Sequence, residues 1–208
     1  MRSFEKASTS KDELRRLIPD TAKKYGIEPE VIFTLTGKEM LDIPYFISAF
    51  PEAEIKTVER NKNDFKEIIK KSKGRVSTLN ATIDEYSRFN LKSGHHGIVF
   101  LDYLGAMDSI KVSEIKTFIQ NSNIIHDKPT VLAITFQKGN RQGANKTLDL
   151  IKEIRETDEV ENSIEAVTSC IWLALLKIKS DVIVEHYIEY KNSHNSVPMY
   201  FILLVIDK

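Results

Sequence analysis

Asp102 follows directly on the apolar run Ile98-Val99-Phe100-Leu101, and Tyr103 follows Asp102. A carboxylate at the end of so apolar a run is carried by a rigid element, where it can take a proton or accept a hydrogen bond from a reacting group. Glu59-Arg60 closes an alternating run that starts at Glu54, and one carboxylate can accept from two vicinal hydroxyls at once. Asn80-Ala81 closes a short run of its own, and Thr36-Gly37-Lys38-Glu39 another, in which the glycine permits close approach of backbone and ligand. Lys138 and Arg141, in Gln137-Lys138-Gly139-Asn140-Arg141, are cations suited to an anionic partner.

These residues share one property: each follows a segment that reads as a strand. Such segments are 31–36, 54–59, 75–80, 98–101 (ending abruptly at Asp102), 130–136, 182–190 and 198–206, rich in β-branched and apolar side chains. Between them the apolar spacing turns helical over 38–50, 64–73, 84–89 in part, 112–125, 147–156 and 163–177. Ahead of the first strand, Ser10 and Glu13 form a capping-box pattern that opens a short helix, and a second helical piece over 21–25 stops at Gly26. The connector Lys191-Asn-Ser-His-Asn-Ser196 is too short for a crossover helix, so the last two strands must be antiparallel neighbours. The alternation elsewhere predicts right-handed crossovers and a parallel sheet covered on both faces. In such a sheet a ligand sits beyond the carboxyl ends of the strands, which is where all these candidates fall.

The chain has 208 residues with 30 Lys+Arg against 30 Asp+Glu, so no overall basic field draws it to nucleic acid, and any such partner needs a local patch. One patch candidate is the segment from Lys56 to Arg75, with eight basic residues; Lys138 and Arg141 form the other. A hydrophobic fraction of 41% excludes global disorder. The single cysteine, Cys170, excludes an internal disulfide or a cysteine-based zinc site. His95-His96 sits between glycines and reads as a solvated turn, so no metal is expected. No apolar run reaches the ~20 residues that span a bilayer, and the N-terminus lacks a secretory pattern, so a cytoplasmic setting is expected. No G-x-x-x-x-G-K-[ST] occurs, which excludes a P-loop enzyme, and G-x-G-x-x-G is absent.

Gly37, Glu59, Asn80-Ala81 and Asp102-Tyr103, on this strand order with its terminal hairpin, resemble the class I S-adenosylmethionine-dependent methyltransferases. The resemblance implies a doubly wound α/β fold over residues 30–208, sheet order 3-2-1-4-5-7-6 with the last strand antiparallel, and residues 1–29 as a helical appendage. It implies a cofactor site at Thr36, Gly37, Glu59, Arg60, Asn80, Ala81 and Asp102, with Glu59 on the ribose and Asn80-Ala81 at the adenine edge. Catalysis would fall to Asp102, Tyr103 and Lys138. The acceptor is unidentified; nucleic acid is one candidate.

Where the family usually carries acid-x-Gly-x-Gly-x-Gly, this chain has Thr34-Leu-Thr-Gly-Lys-Glu-Met, with one glycine. A second expectation is therefore a domain of this fold that binds without transferring a methyl group. A looser likeness is to ribose 2′-O-methyltransferases of RNA, which use two lysines, an aspartate and a glutamate; Lys38, Asp102, Lys138 and Glu185 fall near strand ends.

Overall fold

The computed structural model describes residues 5–6, 10–89, 94–121, 128–137, 171, 181–191 and 198–207. The strands are β1 (Glu5–Lys6), β2 (Val31–Thr34), β3 (Glu54–Val58), β4 (Val76–Leu79), β5 (His96–Ala106), β6 (Thr130–Gln137), β7 (Asp181–Lys191) and β8 (Pro198–Asp207). The helices are α1 (Lys11–Lys24), α2 (Ile43–Ala49), α3 (Lys62–Ser72), α4 (Ile83–Phe89) and α5 (Ser109–Asn121). The helices expected over 147–156 and 163–177 lie outside the described residues, apart from Ile171, which is helical and buried.

The strands form one sheet in the order β4-β3-β2-β5-β6-β8-β7-β1. Only β8 runs antiparallel, against β6 on one side and β7 on the other. Without β1 this is the expected 3-2-1-4-5-7-6 sheet. β1 adds an edge strand parallel to β7, with Glu5 opposite Ile188. Two residues carry no alternation, so the sequence held no sign of it. The arrangement is a Rossmann-like, doubly wound α/β fold.

Alternate residues of each strand serve two cores. One face packs Leu14, Ile18 and Ala22 of α1 and Phe46 of α2 against Ile32, Ile98, Phe100 and Phe201. The other packs Tyr86 of α4 and Phe118 of α5 against Phe33, Val99, Leu101 and Ile202. Each such side chain contributes about 1.5–3 kcal/mol on full burial. That is why the central strands read as unbroken apolar runs.

Four local expectations are corrected. The two helical pieces before residue 26 are one helix, α1, which runs through Pro19; the ring is buried in the core-facing stripe, and packing outweighs the lost N–H bond. The helix expected from residue 38 begins at Ile43, because Pro44 fits its first turn and Met40 adopts a positive φ of 53° that breaks any earlier helix. β5 does not end at Asp102 but continues to Ala106, with a register shift and Gly105 at φ 83°. His95 and His96 are buried rather than solvated: His96 Nε2 lies 2.8 Å from the Tyr86 hydroxyl, and His95 Nε2 lies 3.3 Å from Thr130 Oγ1. Gly97 explains the tight entry, since a Cβ there would stand 2.7 Å from Pro29 Cα.

Candidate active site

The parity of β5 decides which way its carboxylate faces. Ile98 and Phe100 point at α1, so Asp102, two residues on, points there too, while Tyr103 points at α5. α1 begins over the carboxyl ends of the strands because Ser10 caps it there. Ser10 Oγ accepts from the Glu13 N–H at 3.2 Å, and the Ser10 N–H donates to Glu13 at 2.6 Å. Lys11, the first helical residue, thereby reaches Asp102. Its Nζ lies 2.9 Å from Oδ1 and 2.8 Å from Oδ2, with the two side chains 18% and 16% exposed. Thr135, opposite Asp102 on β6, donates its hydroxyl to Oδ1. Asp102 is thus fixed from the neighbouring strand and from α1, yet keeps contact with solvent.

A second carboxylate sits beside it. Asp42 occupies the N-cap position of α2 but makes no capping bond. Its oxygens instead accept from the hydroxyls of Thr34 and of Thr36, the latter at 2.5 Å. Burial pushes the Asp42 carboxyl above the usual aspartate range, against the pull of both hydroxyls, and the charge of Asp102 pushes it further. Sequence reasoning missed both Asp42 and Lys11. The helix expected over 38–50 puts Asp42 in its interior, and the Thr34-x-Thr36 pair at a strand end was the one available sign of it.

The loop between Thr36 and Asp42 is held from outside. Lys71 Nζ donates to the Lys38 carbonyl at 2.9 Å and to Glu39 at 3.0 Å. Lys38 lies 3.8 Å from Asp64 of α3, so its ion pair is with that helix; the lysine on Asp102 is Lys11. A Cβ placed on Gly37 meets no atom within 4 Å, so there is open space at that point of the loop.

Glu59, Arg60, Asn80 and Ala81 come together at the ends of β3 and β4. Asn80 Nδ2 donates to the Glu59 carbonyl at 2.6 Å and the Arg60 carbonyl at 3.2 Å, and the Glu59 N–H donates to the Leu79 carbonyl at 3.0 Å. Glu59 Oε1 accepts from the Asn61 N–H at 2.6 Å, which turns its carboxylate toward the start of α3. Arg60 is exposed; burial raises the carboxyl of Glu114 on α5 above its ordinary value, and the charge of Arg60 offsets part of that.

Tyr103 is only 6% exposed and belongs to the α4/α5 core. Burial, with Glu114 and Asp108 nearby, holds its phenol well above the ordinary range. It lies on the opposite face of the sheet from the Asp102 side chain. Lys138 and Arg141 lie outside the described residues, as does the side chain of Glu185. Exposed Leu41, Leu79, Leu104 and Ile110 border the same strand ends, Leu104 being 85% exposed. A shallow groove of about 540 Å³ opens elsewhere, between α1 and α2, and is lined by Arg16, Lys23, Tyr45 and Ser48 among others. Among the described residues no cluster could hold a metal ion.

No family model matches the sequence, and no curated protein matches it. Solved structures do. A protein of Clostridium thermocellum provisionally described as an rRNA methylase is 11% identical, with a TM-score of 0.56 over 91% of this chain and 94% of that one. The plantazolicin methyltransferase BamL, solved with a triazolic desmethylPZN analogue and SAH, is 11% identical, with a TM-score of 0.53 over 92% and 83%. The Methanococcus jannaschii fibrillarin pre-rRNA processing protein is 9% identical, with a TM-score of 0.52 over 87% and 68%. What the chain shares with them is the class I methyltransferase fold.

Proposed function

We propose that this chain transfers a methyl group from S-adenosylmethionine to an acceptor held over Asp102. The observation that carries the reading is the fixing of Asp102, on the central strand β5, by Lys11 and Thr135 at the ligand end of the parallel sheet. Glu59 and Asn80 at the adjoining strand ends, and the open space beside Gly37, fit the ribose, adenine and methionine parts of that cofactor. When bound, the cofactor supplies an electrophilic methyl carried on a sulfonium.

The chain's own task is then alignment and proton handling. The Asp102 carboxylate accepts the acceptor's hydrogen bond and takes its proton, and the Lys11 ammonium keeps that carboxylate in one orientation. Thr135 restricts it to the same orientation from β6. The Lys11–Asp102 pair supports a hydroxyl acceptor, the chemistry of the ribose-methylating enzymes, with Lys11 in the role expected of Lys38. Tyr103 supports the strand from below rather than lining the acceptor. Lys138 keeps its proposed contact with an anionic acceptor, and the setting is cytoplasmic.

A second reading, a domain that binds without transfer, is favoured by one observation: Thr34, Thr36 and Asp42 are drawn together where the family's glycines usually stand. Transfer of labelled methyl from S-adenosylmethionine to total RNA separates the two. Incorporation that disappears in Asp102→Ala supports transfer. Cofactor binding without incorporation into any nucleic acid or protein fraction supports the second reading.

A further inference from the structure

The charges of α3 are sorted by face. Lys62, Lys66 and Lys70 follow one another at intervals of four residues, which places them on one ridge of the helix, and Lys73 follows as its C-cap, with a φ of 49°. The opposite flank carries the helix's ion pairs: Asp64 with Lys38 at 3.8 Å, and Lys71 with Glu39 at 3.0 Å, both clipping α3 to the loop after β2. The four ridge lysines are exposed, and among the described residues none of them forms an ion pair. Ile69, 47% exposed, lies among them, and exposed Glu67 borders the ridge three residues before Lys70. Ile68 and Ser72 face the protein, so α3 has no free apolar face for a lipid surface.

We propose that this ridge holds the phosphate backbone of a single nucleic-acid strand. The proposal deepens the methyl-transfer reading, on which it rests only for making that strand the acceptor. From Lys62 to the C-cap Lys73 the row spans about 16 Å, at 1.5 Å per helical residue. Each charge along that length stands within a Debye length of the next, and the row as a whole is longer than one, which suits a linear polyanion rather than a small anion. Ammonium groups are point charges without the fork that reads base edges, so they contact backbone and not sequence. The ridge starts two residues after Arg60, beside Glu59 and Asn80. A strand seated along it therefore has one end at the carboxyl ends of β3 and β4. Because the whole chain carries 30 positive against 30 negative groups, the binding is local to this ridge rather than a consequence of net charge.

The test is fluorescence anisotropy of a labelled single-stranded RNA of about 20 nucleotides, titrated with the full chain across a range of salt. The comparison is the variant K62Q/K66Q/K70Q/K73Q, checked for an unchanged melt. If that variant unfolds, K66Q/K70Q carries the test. The slope of log affinity against log salt should be shallower by about 0.7 for each lysine removed, and affinity at about 0.1 M salt should fall at least tenfold for four. Equal slope and affinity in a folded variant overturns the proposal. So does polyglutamate of equal charge displacing the RNA as well as unlabelled RNA does, since the partner is then an acidic polypeptide. Titration of S-adenosylmethionine into the same preparations keeps the two readings apart. Ridge-dependent RNA binding without cofactor binding upholds the ridge and overturns methyl transfer; cofactor binding without ridge dependence does the reverse.

Discussion

Lys11 and Asp102 are 91 residues apart in sequence and 2.8 Å apart in the fold. One stands on the first turn of α1, the other on the central strand, and the pair closes the α1 face of the sheet at its ligand end. Lys11→Met keeps the aliphatic stem and removes the charge. The expected loss of stability is about 1.5–3 kcal/mol, the range for hydrogen bonds to a charged group. Urea unfolding checks it, and a loss within error of zero would show the pair to be a solvent-screened surface contact.

Asp102→Ala separates catalysis from support. The variant should bind S-adenosylmethionine within a fewfold of the natural chain and show no turnover. If Asp102 only ties Lys11 to Thr135, the same variant melts lower and transfers at an unchanged rate per folded molecule. A melt and a transfer assay on one preparation distinguish these outcomes.

Asp42 gives a pH signature. Its folded-state carboxyl holds its proton to higher pH than an unfolded aspartate, whose ordinary value is about 3.9. Between those two values the folded chain binds more protons, so this group's stabilising contribution is full below the unfolded value and is lost as pH rises through the folded one. Asp42→Asn removes that dependence. Relative to the natural chain, the variant's unfolding free energy should therefore rise with pH from about 4 upward, measured by urea unfolding at a series of pH values. A constant difference across the series would contradict the raised carboxyl.

Glu59→Ala should weaken S-adenosylmethionine binding by about 1.5–3 kcal/mol, the cost of losing charge-assisted bonds. Glu59→Gln should recover part of it, because the amide oxygen still accepts from one hydroxyl. Unchanged affinity in a folded Glu59→Ala would remove Glu59 from the cofactor site.

The sheet was legible because its central strands are buried on both faces, and runs such as Ile98 to Leu101 and Met199 to Ile206 cannot hide their character. The strand-end candidates Glu59 and Asn80 were legible for the same reason, since the ends of the runs locate them. Lys11 was not, because a contact across 91 residues leaves no local spacing. The break expected before residue 21 is absent because tertiary packing outweighs the local cost of Pro19. The glycines around His95 and His96 suggested a solvated turn, whereas Gly97 is there to let the chain pass close to Pro29. Asp102 was identified as a residue but misplaced as a strand end, since Tyr103 and Leu104 continue the strand beyond it.

The central claim is that the crevice over β2, β3 and β5 holds S-adenosylmethionine. Calorimetric titration of that compound into the full chain tests it most directly. The account predicts saturable binding at one site per chain, competed by the demethylated product. Absence of saturable heat up to millimolar ligand, with the chain folded by circular dichroism, would contradict it.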